Sequence, residues 1–448
     1  MVLPPRETRV EAQGGIAMAK SKPMKMLVYL VFFSAALGGF QVDAQPGPGN
    51  EEAIRLAGAS PLVRSAERYL LGQVERLRNE SLRSTTQDAL SRQTCVRHRA
   101  NVTESDKEAI VEQLRRDRLF LPADADAFPG GAKAGVFPAI FDEGTACPRL
   151  PQTFFSAPGS VYGGHHSYPG GLVVHETFNN LSDLQLAAGY RRVYGTPRRD
   201  GLPVVGRGDE HEHTDINIDE DLVAAAPIWH DWGKMIVFQW NSDGSEFPEF
   251  NFGGDGVHDA YGAAGDSRTG GHHIIGLAEA MARGLAPDFV ISFASAHSTP
   301  TNGNEYKVVN WLRAAAIIAQ IDPVRQGYLH LDSRGQLRLP PLRQLGSGVD
   351  LNELSPSQTN VLAEYVLHNI SDSDFILTGP AVTIVQFLLQ RLAREFGYNP
   401  TETSRYNRRF RNPALTYLSA ERLLIIYGER GLDGVQAEIQ KLRQHGIL

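Results

Sequence analysis

Residues 165–175 read HHSYPGGLVVH and residues 230–234 read HDWGK, and each string sets a histidine at or near an end of an apolar segment. Further apolar segments occupy residues 274–282, 289–296 and 308–321, and each has a histidine or an aspartate beside it. Apolar residues in these segments recur at helical spacing, whereas alternating strand patterns are few. The sequence therefore predicts an all-α fold built as a helical bundle.

Six potential metal ligands lie at or near the ends of these predicted helices: His175, His230, Asp231, His272 or His273, His297 and Asp322. Imidazole and carboxylate together suit a divalent transition metal such as iron, manganese or zinc, with magnesium as an alternative. The set is larger than one zinc ion needs, so two ions are expected. Neighbours on a helix point about 100° apart, so His230 and Asp231 serve two ions only if the carboxylate bridges them.

The two quoted strings resemble the first two signatures of the HD-domain metal-dependent phosphohydrolase superfamily, and the resemblance covers residues 164–323. It implies a helical HD domain of the two-metal type, whose ligands in chain order are His175, His230, Asp231, His272, His297 and Asp322. The Gly-His spacing in this family favours His272 over the adjacent His273. The assignment of Asp322 rests on its place in the sequence AQIDP.

By the same resemblance, the implied activity is hydrolysis of a phosphomonoester, a phosphodiester or a nucleotide by a metal-activated water. The residues expected to act in catalysis are His230, Asp231 and Lys234. The residues expected to contact an anionic small-molecule substrate are Lys234, His165, His166 and His273. For His165 and His166, a structural role at the start of the helix is an equally good interpretation.

Two other functions fit the same residues. The six-ligand arrangement also resembles the di-iron oxygenases of this superfamily, in which the metals activate dioxygen instead of water. Alternatively, the domain binds a metal or ligand without catalysis, and the flanking helices dock a partner. Residues of a substrate pocket would separate hydrolase from oxygenase, and the sequence does not identify them.

The overall composition is that of an ordinary soluble globular protein, with 42% hydrophobic, 21% charged and 8% aromatic residues. A length of 448 residues predicts two or three structural units. The formal net charge of −7 gives no indication of a positively charged surface that would bind a nucleic-acid backbone. We therefore expect a small phosphorylated molecule as the partner, and the sequence leaves the oligomeric state open.

The N-terminal region carries the features of an export signal. Residues 26–40 are apolar, three lysines precede them, and small residues suited to signal peptidase follow, ending at Ala44. This order predicts a cleaved signal peptide, a secreted or periplasmic protein and no stable membrane span after cleavage. An uncleaved anchor is the alternative. An oxidising compartment also favours a disulfide between Cys95 and Cys147, against the alternative of two separately buried thiols.

The chain is expected to divide into a signal peptide region (1–44), an N-terminal helical region with a connector (45–155), a metal-binding domain (156–328) and a C-terminal helical region (329–448). Within the last region, the pattern predicts a small hairpin around residues 333–335 and helices over 357–368, 380–396 and from Ala420 onward.

Two polar stretches of the central region could also bear on function. His211 and His213 lie in the acidic sequence DEHEHTD, for which a solvated loop is favoured over a metal site. Residues 241–270 form a Gly/Asp-rich insertion that contains His258. A long loop beside a site is a candidate lid, and a plain surface loop is the alternative.

Overall fold

The computed structural model describes residues 45–196, 215–257, 266–301, 303–341 and 361–448. The predicted signal peptide lies outside these residues, as do His211, His213 and His258 and the first four residues of the helix predicted over 357–368. All described residues belong to one compact unit, Ala44–Leu448. The fold is all-α, as the sequence predicts, and the described strands are two short antiparallel pairs.

Six helices form the N-terminal part: α1 Asn50–Ala59, α2 Pro61–Arg76, α3 Glu80–Leu90, α4 Glu104–Arg116, α5 Pro122–Ala127 and α6 Gly131–Val136. Side-chain caps start three of them, because Ser60 accepts from Val63 N at α2, Asn79 caps α3, and Thr103 forms a capping box at α4. Cys95 and Cys147 form a disulfide with their Cα atoms 4.7 Å apart, which confirms the favoured pairing.

The central part supplies the helices that carry the predicted ligands: α7 Gly171–Tyr194, α8 Glu220–Trp229, α9 Lys234–Val237, α10 Gly271–Ala282, α11 Pro287–Ala294 and α12 Glu305–Ile318. Helix α7 packs along α8, and α10 packs along α12. The insertion between α9 and α10 contributes strand β1, Asn251–Phe252, which pairs antiparallel with β2, Thr269–Gly270.

The C-terminal part begins with the predicted hairpin, in which β3 His330–Leu331 pairs with β4 Leu337–Arg338. The remaining helices are α13 Ala363–Ser371, α14 Phe375–Ala393, α15 Thr403–Tyr406, α16 Asn412–Leu418 and α17 Ala420–Gln444, with 3-10 turns at Asp372–Asp374 and Arg394–Phe396 and a π-helical segment at Asn407–Arg411. The helix expected to begin at Pro380 begins five residues earlier, so that boundary is corrected to Phe375.

Two of the apolar cores that hold these helices together are large. The larger core mixes N-terminal residues such as Leu70 with central ones such as Trp229 and Phe293. The smaller core joins α14, α16 and α17 through residues such as Leu389 and Leu423. Helix α13 packs back against α7, α8 and α11, and this brings the turn that follows it to the histidines of the central helices.

Candidate metal centre

Five separate stretches of chain bring histidines and carboxylates to one buried point. His175 projects from the second turn of α7, His230 caps the C-terminal end of α8 with Asp231 directly after it, and His272 opens α10. His297 follows α11, and Asp372 begins the 3-10 turn after α13. Most of these side chains are almost completely buried, so their polar atoms must find partners within the protein.

Asp231 lies at the middle of the cluster and faces histidines on two sides. Its Oδ2 is 3.3 Å from His175 Nε2 and 3.5 Å from His230 Nε2. Its Oδ1 is 3.0 Å from His272 Nε2. Ligand atoms of Asp231, His272 and His297 also lie within 4.8 Å of one another. One carboxylate therefore joins two sets of potential ligands, which is the arrangement expected of a bridging aspartate.

The late aspartate of the cluster is Asp372 and not Asp322. Asp372 Oδ1 lies 3.2 Å from both His175 Nε2 and His230 Nε2. Asp322 is exposed, and its Oδ1 accepts hydrogen bonds from the backbone of Val324 and Arg325, 3.0 Å away in each case. The assignment of Asp322 from the resemblance is thus corrected, because its side chain closes the turn after α12 and does not reach the cluster.

Several buried ligand atoms have no hydrogen-bond partner among the described residues. They include His230 Nε2, His272 Nε2 and Asp231 Oδ1, while Asp231 Oδ2 forms an ion pair with Lys234. Unsatisfied buried donors and acceptors are rare in proteins, and a set of them that converges needs a common partner. Imidazole nitrogens and carboxylate oxygens are the donors that divalent transition metals prefer. The residues present therefore fit a metal site.

The outer nitrogens of the imidazoles are held in place, which leaves the inner nitrogens turned to the centre. His230 Nδ1 donates to the carbonyl oxygen of Pro227 at 3.0 Å. His272 Nδ1 contacts Glu249 Oε1 at 2.5 Å. A histidine that binds a metal usually has its second nitrogen fixed by a carbonyl or carboxylate in this way.

The outer nitrogens of the remaining two histidines also lie close to polar side chains. His297 Nδ1 is 2.8 Å from Thr269 Oγ1, and His175 Nδ1 is 3.1 Å from Asp374 Oδ1. Glu249 and Thr269 come from the insertion between α9 and α10, so the described part of that insertion lies against the centre. Both residues also line a surface cleft of about 610 Å³, which brings solvent close to this side of the site.

No family model, curated protein or solved structure matches this chain. The HD-domain resemblance therefore stays a prediction, and the buried clusters of histidine and carboxylate are the observation on which a metal site rests.

Opposite charges within the cluster shift the pKa values of its members. Burial alone lowers the pKa of His230, but the surrounding carboxylates, Asp231 foremost, outweigh burial and raise that pKa to about 9. Burial raises the pKa of Asp231, but His230 and Lys234 outweigh it and hold that pKa well below its usual range. Burial also raises the pKa of Glu176 to about 8. Protons on imidazoles thus balance the carboxylates, and a bound metal would have to displace them.

The predicted substrate residues lie in different surroundings. Lys234 is buried, forms an ion pair with Asp231, and donates to Nε2 of the half-buried His165 at 3.2 Å. His166 is buried, with Nδ1 3.0 Å from the Tyr168 hydroxyl and Nε2 3.2 Å from Asp374 Oδ2. His165 therefore retains access to solvent, while His166 is tied into the wall behind the cluster.

His273 packs against His297. Its ring stacks on His297 with centroids 4.0 Å apart, and it is absent from the group formed by Asp231, His272 and His297. Burial holds the pKa of His273 well below its usual range, so the ring is neutral. The geometry places His272 beside Asp231 and His273 against His297.

The residues of the site that sequence reasoning missed include Glu176, Asn179, Glu249, Asp372 and Asp374. Asn179 lies one helical turn after His175, and its Nδ2 is 3.2 Å from both His175 Nε2 and Asp372 Oδ1. Helical spacing could have found Asn179. The pair of aspartates in the sequence NISDSD was the available signal for the other end of the cluster.

Proposed function

We propose that this protein is a metal-dependent phosphohydrolase of the HD type, with two divalent cations on either side of Asp231. The supporting observation is the position of Asp231, whose two oxygens face two different sets of imidazole nitrogens. The first set consists of His175 and His230 with Asp372, and the second consists of His272 and His297. Iron, manganese and zinc suit this mixture of nitrogen and oxygen donors, and magnesium remains an alternative.

Bound cations would act as Lewis acids, activating a water for attack on phosphorus and stabilising the negative charge that develops. The chain contributes the charge balance around them. Protonated imidazoles such as His230 balance the carboxylates of Asp231 and Asp372. Cations that replaced these protons would supply the positive charge that an anionic phosphate needs.

Lys234 and His165 are the residues proposed to hold the phosphate. Lys234 Nζ donates to His165 Nε2, and His165 is half-buried, so this pair connects the cluster to solvent. Burial, followed by the charge of Lys234, holds the pKa of His165 well below its usual range. A neutral His165 can donate from Nδ1 to a phosphoryl oxygen while Lys234 supplies the positive charge.

The proposed setting is outside the cytoplasm. An exported protein is consistent with the disulfide Cys95–Cys147, because disulfides persist in oxidising compartments. The proposed substrate is a small phosphate ester, since the net charge of −7 does not favour binding of a nucleic-acid polymer.

The test is a phosphatase panel on metal-loaded protein, covering monoesters, diesters, nucleotides and cyclic dinucleotides. We expect turnover of at least one class, loss of that turnover in Asp231→Ala, and its retention in the control Asp322→Ala. Hydrolysis by the protein that Asp231→Ala leaves unchanged would refute the proposal. Iron-dependent oxygen consumption with no phosphate release would refute it in favour of the oxygenase.

A further inference from the structure

The outward side of α14 is apolar. The α14 apolar face, as we name it, consists of Phe375, Ile376, Leu377, Ile384 and Phe387, all of them exposed. Ile376 is 68% exposed and Phe387 is 64% exposed, although large side chains of this kind are normally among the most buried. A contiguous apolar patch on a folded protein usually marks an interaction site.

The opposite side of α14 is apolar as well. Val385 and Leu389 are completely buried in the core shared with α16 and α17. The stretch Ala363–Phe396 reaches a mean hydropathy of 1.4 and is long and apolar enough to cross a membrane, with 44% of its apolar window buried in the fold. Because its buried side already packs in the core, the outward side is the part left for a partner.

The apolar surface continues from α14 onto α7. A groove of about 670 Å³ lies between α7 and α13, with Phe178, Tyr190, Val193 and Ile370 among its lining residues. The groove is also lined by Asp374, which directly precedes Phe375, so the groove and the α14 apolar face meet at the start of α14.

Charges at the far end of α14 indicate which partner fits. The sequence from Phe375 to Gln390 contains no charged residue, and Arg391 and Arg394 then follow at helical spacing from Phe387 on the same exposed side. Neither arginine forms an ion pair with another described residue. Lipid phosphates would pair with both guanidinium groups, which outnumber the one exposed carboxylate beside them, Glu395.

We propose that the α14 apolar face docks this protein on a lipid bilayer that carries anionic head groups. The apolar side chains enter the boundary between head groups and acyl chains, and Arg391 and Arg394 bind phosphate at the surface. The groove between α7 and α13 then faces the lipid. This inference stands on α14 alone and does not depend on the proposed chemistry of the metal centre.

The test is co-sedimentation of the full chain with vesicles of phosphatidylcholine, with and without phosphatidylglycerol. We expect binding to the anionic vesicles and a loss of at least about tenfold in Ile376→Ser/Phe387→Ser, since two large apolar contacts are removed. The matched control is Leu331→Ser, which removes an exposed apolar side chain from the β3–β4 hairpin and should bind like the parent.

The charge component has its own pair of variants. Arg391→Gln/Arg394→Gln should reduce binding to anionic vesicles and weaken its dependence on salt, whereas Arg115→Gln/Arg116→Gln, on α4, should change neither. Circular dichroism checks that each variant is folded. Absence of vesicle binding by the parent, or equal binding by parent and Ile376→Ser/Phe387→Ser, would overturn the inference. Dimers abolished by Ile376→Ser/Phe387→Ser, without vesicle binding, would overturn it in favour of a second copy.

Discussion

Replacement of Asp372 by asparagine should remove metal from the centre, although the resemblance to a known family assigns this role to Asp322. Asp372 Oδ1 is 3.2 Å from His175 Nε2 and from His230 Nε2, and it accepts from Asn179 Nδ2 at the same distance. Asparagine keeps the shape of the side chain but removes its charge. The substitution therefore weakens the attraction of the site for a cation and removes the ion pair with His230.

The magnitude follows from these contacts. Removal of an outer partner of a metal ligand already lowers metal affinity about 10–100-fold, so removal of a charged ligand should lower it by at least about 100-fold. Breaking a buried ion pair costs about 3–5 kcal/mol when one charge is left without its partner. Because Asp231 and Glu176 still face His230, we expect a loss of about 3 kcal/mol in the free energy of unfolding of the metal-free protein.

The assay is calorimetric titration with Mn²⁺ or Zn²⁺, together with urea unfolding in the presence of a chelator. Asp322→Asn is the matched control, because an amide oxygen still accepts from Val324 and Arg325 and the site is exposed. It should bind metal like the parent and unfold within about 0.5 kcal/mol of it. Loss of metal in Asp322→Asn and normal binding in Asp372→Asn would refute the reasoning.

Three further predictions concern other parts of the molecule. Glu249→Gln should lower metal affinity about 10–100-fold by loosening His272, and unchanged affinity in a titration would argue against that role. Burial raises the pKa of Glu246 to about 7, so the folded state holds a proton and stability should fall by on the order of 3 kcal/mol as pH rises from about 4.5 to 7. Urea unfolding should show a decline that is smaller by this amount in Glu246→Gln than in the parent, because other buried carboxyls such as Glu176 titrate in both. Cys95 and Cys147 are 52 residues apart, so reduction of their disulfide should lower the free energy of unfolding by about 4 kcal/mol. An unchanged free energy of unfolding after reduction would contradict this prediction.

Local patterns predict much of this fold. The apolar segments with a histidine at or near one end appear as α7, α8, α10 and α11, and the hairpin around residues 333–335 forms as expected. These features depend on residues close together in the chain, so the sequence carries them directly. The same applies to His175, His230, Asp231, His272 and His297, which the structure brings together.

Features set by distant contacts were harder to predict. Asp372 reaches the centre because α13 packs against α7 and α8. No spacing of residues within the sequence predicts this contact between distant helices. Glu249 comes from an insertion that lacks any regular pattern. Pro380 suggested a helix start because proline is favoured in the first turn, yet α14 begins at Phe375. The carbonyl of Ile376 that Pro380 leaves unbonded belongs to an exposed residue and can bind water.

The number of metal ions per chain tests the bridging role of Asp231 most directly. Elemental analysis of protein equilibrated with saturating metal should give two ions per chain in the parent and fewer than one in Asp231→Ala, with circular dichroism confirming that the variant is folded. One ion or none in the parent, or two ions in folded Asp231→Ala, would contradict a carboxylate shared between two cations.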